Sequence, residues 1–238
     1  MAINDFPNFF LFLHQAIHSR LQSHFNKENK PPEEIFPPVK VDDDGGMLSQ
    51  FIIQNQLTIE EYITLLIALV PHIQPSFFEN IIQEFLPNGG DFTEFGAVKG
   101  TNQRSIIPTG ETVLFILAGN HLQLRLHLQQ LFSSEHFFAA QNILWIENVK
   151  DGEPMMSGKI IMAQEWVDKF LFGKEATPKF SADFPAKKIV SQMNWNDVIL
   201  PQQTKDEIEH IKTWLSHNDN LMEDNNLGRK LKPGYRAL

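Results

Sequence analysis

The chain has 238 residues, of which 42% are hydrophobic and 21% charged, the proportions of a soluble globular protein with a sizeable core. A formal net charge of −9 disfavours broad binding to nucleic acid or to anionic membranes, both of which need clustered positive charge. Cysteine is absent, so disulfides, thiolate zinc sites and cysteine nucleophiles are excluded together. The start carries Asp5 where an export signal wants a cation, and His14 interrupts the apolar stretch. The runs Phe9 to Leu13 and Ile63 to Val70 fall far short of the ~20 residues that span a bilayer. A cytoplasmic protein without membrane attachment is the expectation.

In chain order, residues 1–26 read as an N-terminal amphipathic helix. Asn4 or Asp5 can cap it, and Phe6, Phe9, Phe10, Leu13, Ile17, Leu21 and Phe25 recur at three- and four-residue steps. Residues 27–46 hold four prolines, an acidic run and a Gly pair, the composition of a linker. The body expected over 47–173 opens with Thr58-Ile-Glu-Glu61, a capping box whose helix ends at Pro71. A second helix begins after Gln74-Pro75-Ser76 and stops before Pro87-Asn-Gly-Gly90. No regular structure is expected for Asp91 to Ser105. Pro108-Thr109-Gly110-Glu111 starts a third helix to about Ala118, Gly119-Asn120 breaks it, and Leu122 to Phe132 continues as a fourth.

Then the period changes. Ile143 to Val149 and Met156 to Met162 are strand-like and flank a turn with Asp151-Gly152, which predicts an antiparallel hairpin. Gln164 to Phe172 is helical again. Helices followed by a hairpin in one body predict an α+β, mostly helical, winged-helix-like domain. In 174–238, Thr177 to Val190 reads as extended, and Thr204 with Glu207 reads as a capping box opening a helix to about His217. Lys232-Pro233-Gly234 is a turn, and Tyr235 to Leu238 starts a strand.

Few residues suggest catalysis. His14 and His18 lie one helical turn apart but lack a third ligand in the sequence nearby, and Glu207-x-x-His210 lacks the second copy that a di-iron bundle needs. Tight Zn²⁺ binding is therefore not expected, and a small metal enzyme is the weakest reading. Glu135-His136 has no orienting third group, and no serine sits in a G-x-S-x-G elbow. Gly158-Lys159 and Gly173-Lys174 are followed by Ile160 and Glu175, not by the Ser or Thr of a P-loop. The presumed recognition stretch, Thr109 to Phe132, carries one cation, Arg125, against Glu111. Strong duplex DNA binding is not expected from it.

The stretch Asn194-Trp-Asn-Asp-Val-Ile-Leu-Pro201, a helix, then Leu231-Lys-Pro-Gly-Tyr-Arg-Ala-Leu238 resembles the lead-in to the ATPase core of AAA+ proteins. Phe92-Thr-Glu-Phe-Gly96 with Lys99-Gly100, Ile107 to Thr112, and Phe184-Pro185-Ala186 are similar to the region ahead of that core in a bacterial group of AAA+ ATPases with a winged helix. Some members of the group accompany contractile injection systems. The resemblance spans about Met47 to Leu238, and the family's P-loop would begin just beyond it. It implies a non-catalytic region that docks partner or substrate proteins, with ATP and Mg²⁺ used by the core and a homo-oligomeric ring formed through it. It also implies an adenine edge at Asp197, Val198 and Ile199, although Leu200-Pro201 stands where many members have Gly-Gly. The alternative is a free-standing winged-helix regulator that binds protein or DNA.

Overall fold

A computed structural model describes residues 6–28, 35–36, 41–90, 92–100, 102, 104–173 and 197–224. The chain divides into two compact units, Met1–Lys179 and Phe180–Leu238. The expected extended run at 177–190, the turn at 232–234 and the terminal strand lie outside the described residues.

In the first unit the helices are α1 (Phe6–Phe25), α2 (Met47–Gln54), α3 (Ile59–Leu69), α4 (Phe77–Phe85), α5 (Gly110–Ala118), α6 (Leu122–Leu128), α7 (Phe137–Ala140) and α8 (Gln164–Phe172). Strands β1 (Val98–Lys99) and β2 (Ile106–Ile107) pair antiparallel, as do β3 (Leu144–Ile146) and β4 (Ile160–Met162). The unit is mostly helical with two small antiparallel sheets, an α+β arrangement.

The core is built around two helices that are apolar on every side. Residues Tyr62 to Leu69 of α3 and Thr112 to Ala118 of α5 are all buried, as expected for helices with no polar face to offer water. The short apolar run Ile63–Val70 is thus an interior helix. Among the described residues, no single helix is long and apolar enough to cross a membrane. Leu13, Ala16, Ile17 and Leu21 of α1 pack into the same core with no exposed surface. Ile35 is buried and Phe36 packs against the core, so part of the Pro-rich segment after α1 docks on the body.

Local chemistry sets the helix ends. Thr58 caps α3 as a full capping box: Glu61 N–H donates to its Oγ1 at 3.2 Å and Thr58 N–H donates to Glu61 Oε2 at 2.7 Å. Helix α2 was not expected. It begins after Asp44, whose Oδ1 accepts from Gly46 N–H at 2.8 Å and from Ser49 Oγ. The predicted hairpin is present but shorter than expected: β3 and β4 pair over three residues each, with Trp145 opposite Ile161, and Met156 and Ser157, expected in the second strand, belong to a 3-10 turn, Met155–Ser157, instead.

The second unit corrects one expectation. Helix α9 runs Gln202–Asp224, so Thr204 lies inside its first turn and does not cap it. Pro201 begins this helix, its carbonyl accepting from Lys205 N–H at 3.2 Å, a role suited to a residue with fixed φ. Glu207 accepts from Gln203 Nε2 at 3.3 Å along the helix surface, which removes it from any capping box.

Thr64 supplies a test of the core. Its Oγ1, inside α3, is buried without a hydrogen-bond partner. A buried unpaired hydroxyl costs about 1–3 kcal/mol. Thr64→Val should therefore raise unfolding stability by about 1 kcal/mol in urea titration, whereas Leu13→Ala should lower it by about 2–5 kcal/mol. A destabilised Thr64→Val would show that the hydroxyl is paired.

Candidate functional site

The stretches Phe92–Gly96 and Ile107–Thr112 meet at the start of α5. Thr109 caps the helix, its N–H donating to Thr112 Oγ1 at 2.9 Å while Thr112 N–H donates back at 3.4 Å. The Thr109 hydroxyl also donates to the Gly96 carbonyl at 2.7 Å. Gly96 has φ +76°, and a Cβ there would stand 2.5 Å from Glu111 Cγ, so only glycine closes the approach. Glu111 is ion-paired with Arg125, whose Nη1 donates to the Gly119 carbonyl at 3.0 Å.

The same corner holds the β3–β4 hairpin. Gly110 N–H donates to the Gly158 carbonyl at 3.1 Å, and Ile160 N–H donates to the Pro108 carbonyl at 3.0 Å. Lys159 Nζ lies 3.2 Å from Glu147. Arg125 and Lys159, two of the few cations that a nucleic acid would need, are therefore already engaged with acids.

Beside this clasp lies a groove of about 580 Å³ between α4 and the β1–β2 pair. Its floor is apolar, including Ile82, Leu86, Phe92, Phe95, Val98 and Ile106, and Lys99 stands on its wall. Glu79, the acid in its lining, accepts from Ile106 N–H at 2.9 Å and so fixes the outer strand against α4.

Histidine geometry decides between chemistry and structure. His136 accepts from Phe138 N–H through Nδ1 at 3.2 Å, capping α7, so the proton resides on Nε2. That Nε2–H faces Glu61 Oε1 at 3.1 Å. With the Nδ1 lone pair occupied and the Nε2 proton committed, the ring has no free basic nitrogen for proton abstraction. Glu135, the expected partner, instead accepts from Ser134 Oγ at 3.3 Å. The true partner, Glu61, is 75 residues away, and no sequence rule would have paired them.

His14 and His18 do come together with an acid. Glu84, near the end of α4, lies 3.3 Å from His14 Nε2 and 3.7 Å from His18 Nε2. Glu207 and His210 are exposed on α9, and Glu207 accepts from Gln203. Among the described residues, no group of three or more His, Asp or Glu side chains is placed to hold a metal ion.

In the second unit Asp197 is exposed, Val198 lines a shallow depression of about 380 Å³ with Leu200, Lys205, Ile208 and Lys212, and Ile199 is 98% exposed. Comparison with family models, with curated proteins and with solved structures finds no match for this chain.

The clasp generates a prediction. Gly96→Ala meets both a left-handed backbone and the Glu111 side chain, so it should cost about 2 kcal/mol or more. Thr58→Ala, which removes an exposed cap only, should cost about 1 kcal/mol. Equal losses in chemical denaturation would show that Gly96 is not a close-approach position.

Proposed function

We propose that this chain is the non-catalytic N-terminal region of an AAA+ ATPase, a winged-helix-like body that docks partner or substrate proteins for an ATP-driven remodelling core. The supporting observation is the convergence of Phe92–Gly96 and Ile107–Thr112 on one clasp. These two of the stretches that carry the resemblance in the middle of the chain meet in a single structural element. The order of helices followed by the β3–β4 pair supports the winged-helix part of the reading. The apolar groove beside the clasp offers a protein partner a floor to bury.

In this reading ATP and Mg²⁺ serve the core, because most of the affinity of such sites comes from phosphate and metal contacts on a P-loop. Asp197, Val198 and Ile199 would contribute one edge of the adenine pocket. The exposure of Ile199 leaves that side chain available for a core to cover. The ring would assemble through the core, the setting would be the cytoplasm, and a contractile injection system is the assembly that the resemblance suggests.

Calorimetry tests this reading. Residues 1–238 should neither bind ATP tightly nor hydrolyse it, whereas a chain extended through a G-x-x-x-x-G-K-[ST] motif should do both and form a ring. Tight ATP binding by residues 1–238 alone would overturn it. Duplex DNA discriminates the alternative of a DNA-binding regulator. With Arg125 and Lys159 engaged by Glu111 and Glu147, arbitrary duplex should bind no tighter than ~10⁻⁶ M at physiological salt. Submicromolar, steeply salt-dependent binding would favour the regulator instead.

A further inference from the structure

We propose that the groove between α4 and the β1–β2 pair takes a short apolar segment of a partner protein, held by an acidic side chain against Lys99. The inference rests on the reading that this chain docks proteins, and it names the chemistry of what is docked. Helix α4 serves both sides of the groove wall. Its Phe77, Phe78 and Ile81 are buried in the core. Glu79, Ile82, Gln83 and then Leu86, at steps of three and four residues, face the groove. Below them Phe95 has no exposed surface, and its ring centre lies 5.9 Å from that of Phe78 and 6.3 Å from that of Phe92. The carbonyl of the next residue, Gly96, is held by the Thr109 hydroxyl. The floor is therefore built before any partner arrives.

The charges of the groove decide which segment fits. Lys99 stands opposite Ile106 across the two strands, and opposed residues of an antiparallel pair point to one face. Both line the groove. Among the described residues, the charged side chains of the lining are Glu79 and Lys99. Glu79 is tied to the Ile106 N–H, a donor that partly offsets its charge. Lys99 is exposed and makes no ion pair among the described residues, unlike Arg125 and Lys159. A wholly apolar occupant would strip water from the ammonium and leave it without a partner. A basic occupant would set like charges together. An Asp or Glu flanked by apolar side chains satisfies the floor and the lysine at once.

Size and shape favour a peptide. The volume of about 580 Å³ lies within the range of binding pockets and admits a few side chains, not a folded domain. The groove opens at Gly89 and Gly90, where a Cβ on either residue would meet no atom within 4 Å. Their φ values of +72° and +139° belong to a turn that puts no side chain over this rim, so an incoming backbone can lie close to it.

The test is selection of random linear peptides, displayed on phage, against the immobilised full chain, followed by fluorescence anisotropy of the synthetic winners. Winners should combine apolar residues with Asp or Glu and bind in the micromolar range, more weakly at high salt. Lys99→Glu should weaken them about tenfold and, in a fresh selection, yield peptides with Lys or Arg in place of the acid. Lys99→Arg should keep both affinity and preference. Leu86→Gln should weaken every winner, whereas Leu126→Gln, which changes an exposed leucine of α6, should not. Lys99 is exposed, so its variants test the site even where Leu86→Gln fails to fold. The proposal is overturned if no peptide is enriched, if winners show no preference for an acid, if Lys99→Glu selects the same peptides as the parent, if a folded Leu86→Gln binds them unchanged, or if Leu126→Gln abolishes binding. Decanoate binding more tightly than any winner would make this a small-molecule site and overturn it too. Failure of the extended chain to bind ATP or to form a ring would instead count against the AAA+ reading and leave the peptide results as they stand.

Discussion

A charged side chain inside the core organises the first unit. Arg20 is only 5% exposed, and its Nε and Nη2 donate to the carbonyls of Ile116 and Leu117 at 2.7 and 2.9 Å. Those carbonyls belong to the last turn of α5, where the helix has no internal donors left and its dipole is negative. A helix buried on all sides cannot send its final carbonyls to water. The guanidinium takes that role, with the Phe36 ring 5.7 Å from its carbon. Burial lowers the Arg20 pKa to about 10, still far enough above neutrality for the charge to persist. Gly119, at φ +54°, lets the chain turn away beside it, where a Cβ would come within 2.9 Å of Arg20 Nη1.

The two ends of α5 are therefore held by different means. At the start, threonines, glycines and the Gly158 carbonyl form a neutral clasp at the edge of the core. At the end, Arg20 and Arg125 supply the donors, and Arg125 links the two because it also pairs with Glu111 in the first turn. The groove between α4 and the β1–β2 pair inherits its shape from this frame. One wall is the segment that the clasp positions, and the other is a helix fixed to β2 by Glu79.

Much of this was legible in the sequence, and the parts that were not share a cause. Thr58 with Glu61, the break at Gly119, and the turn at Asp151-Gly152 are local signals, and the structure has α3, the α5–α6 boundary and the β3–β4 pair where they point. Thr204 misled because a Ser or Thr with Glu three residues on also occurs inside helices, and Pro201 had already supplied a start. Helix α2 and the two-residue strands β1 and β2 are too short for a period to show. Glu84 beside the histidines and Glu61 beside His136 depend on contacts across 70 and 75 residues, which no spacing rule reaches. Arg20 was not singled out in the sequence. It occupies the step after Leu13, Ala16 and Ile17 on the buried stripe of α1, where a cation demands a partner.

The bonds from Arg20 to Ile116 and Leu117 close loops of 96 and 97 residues. During synthesis Arg20 therefore emerges long before the carbonyls that it caps. Closing a loop of that size costs entropy that local helices never incur, so the contact of α1 with the end of α5 forms after the nearer contacts of α1 with α3 and α4. Until then, a guanidinium sits on the apolar stripe of α1 without its carbonyl partners, so the stripe cannot close into a dry core at that step.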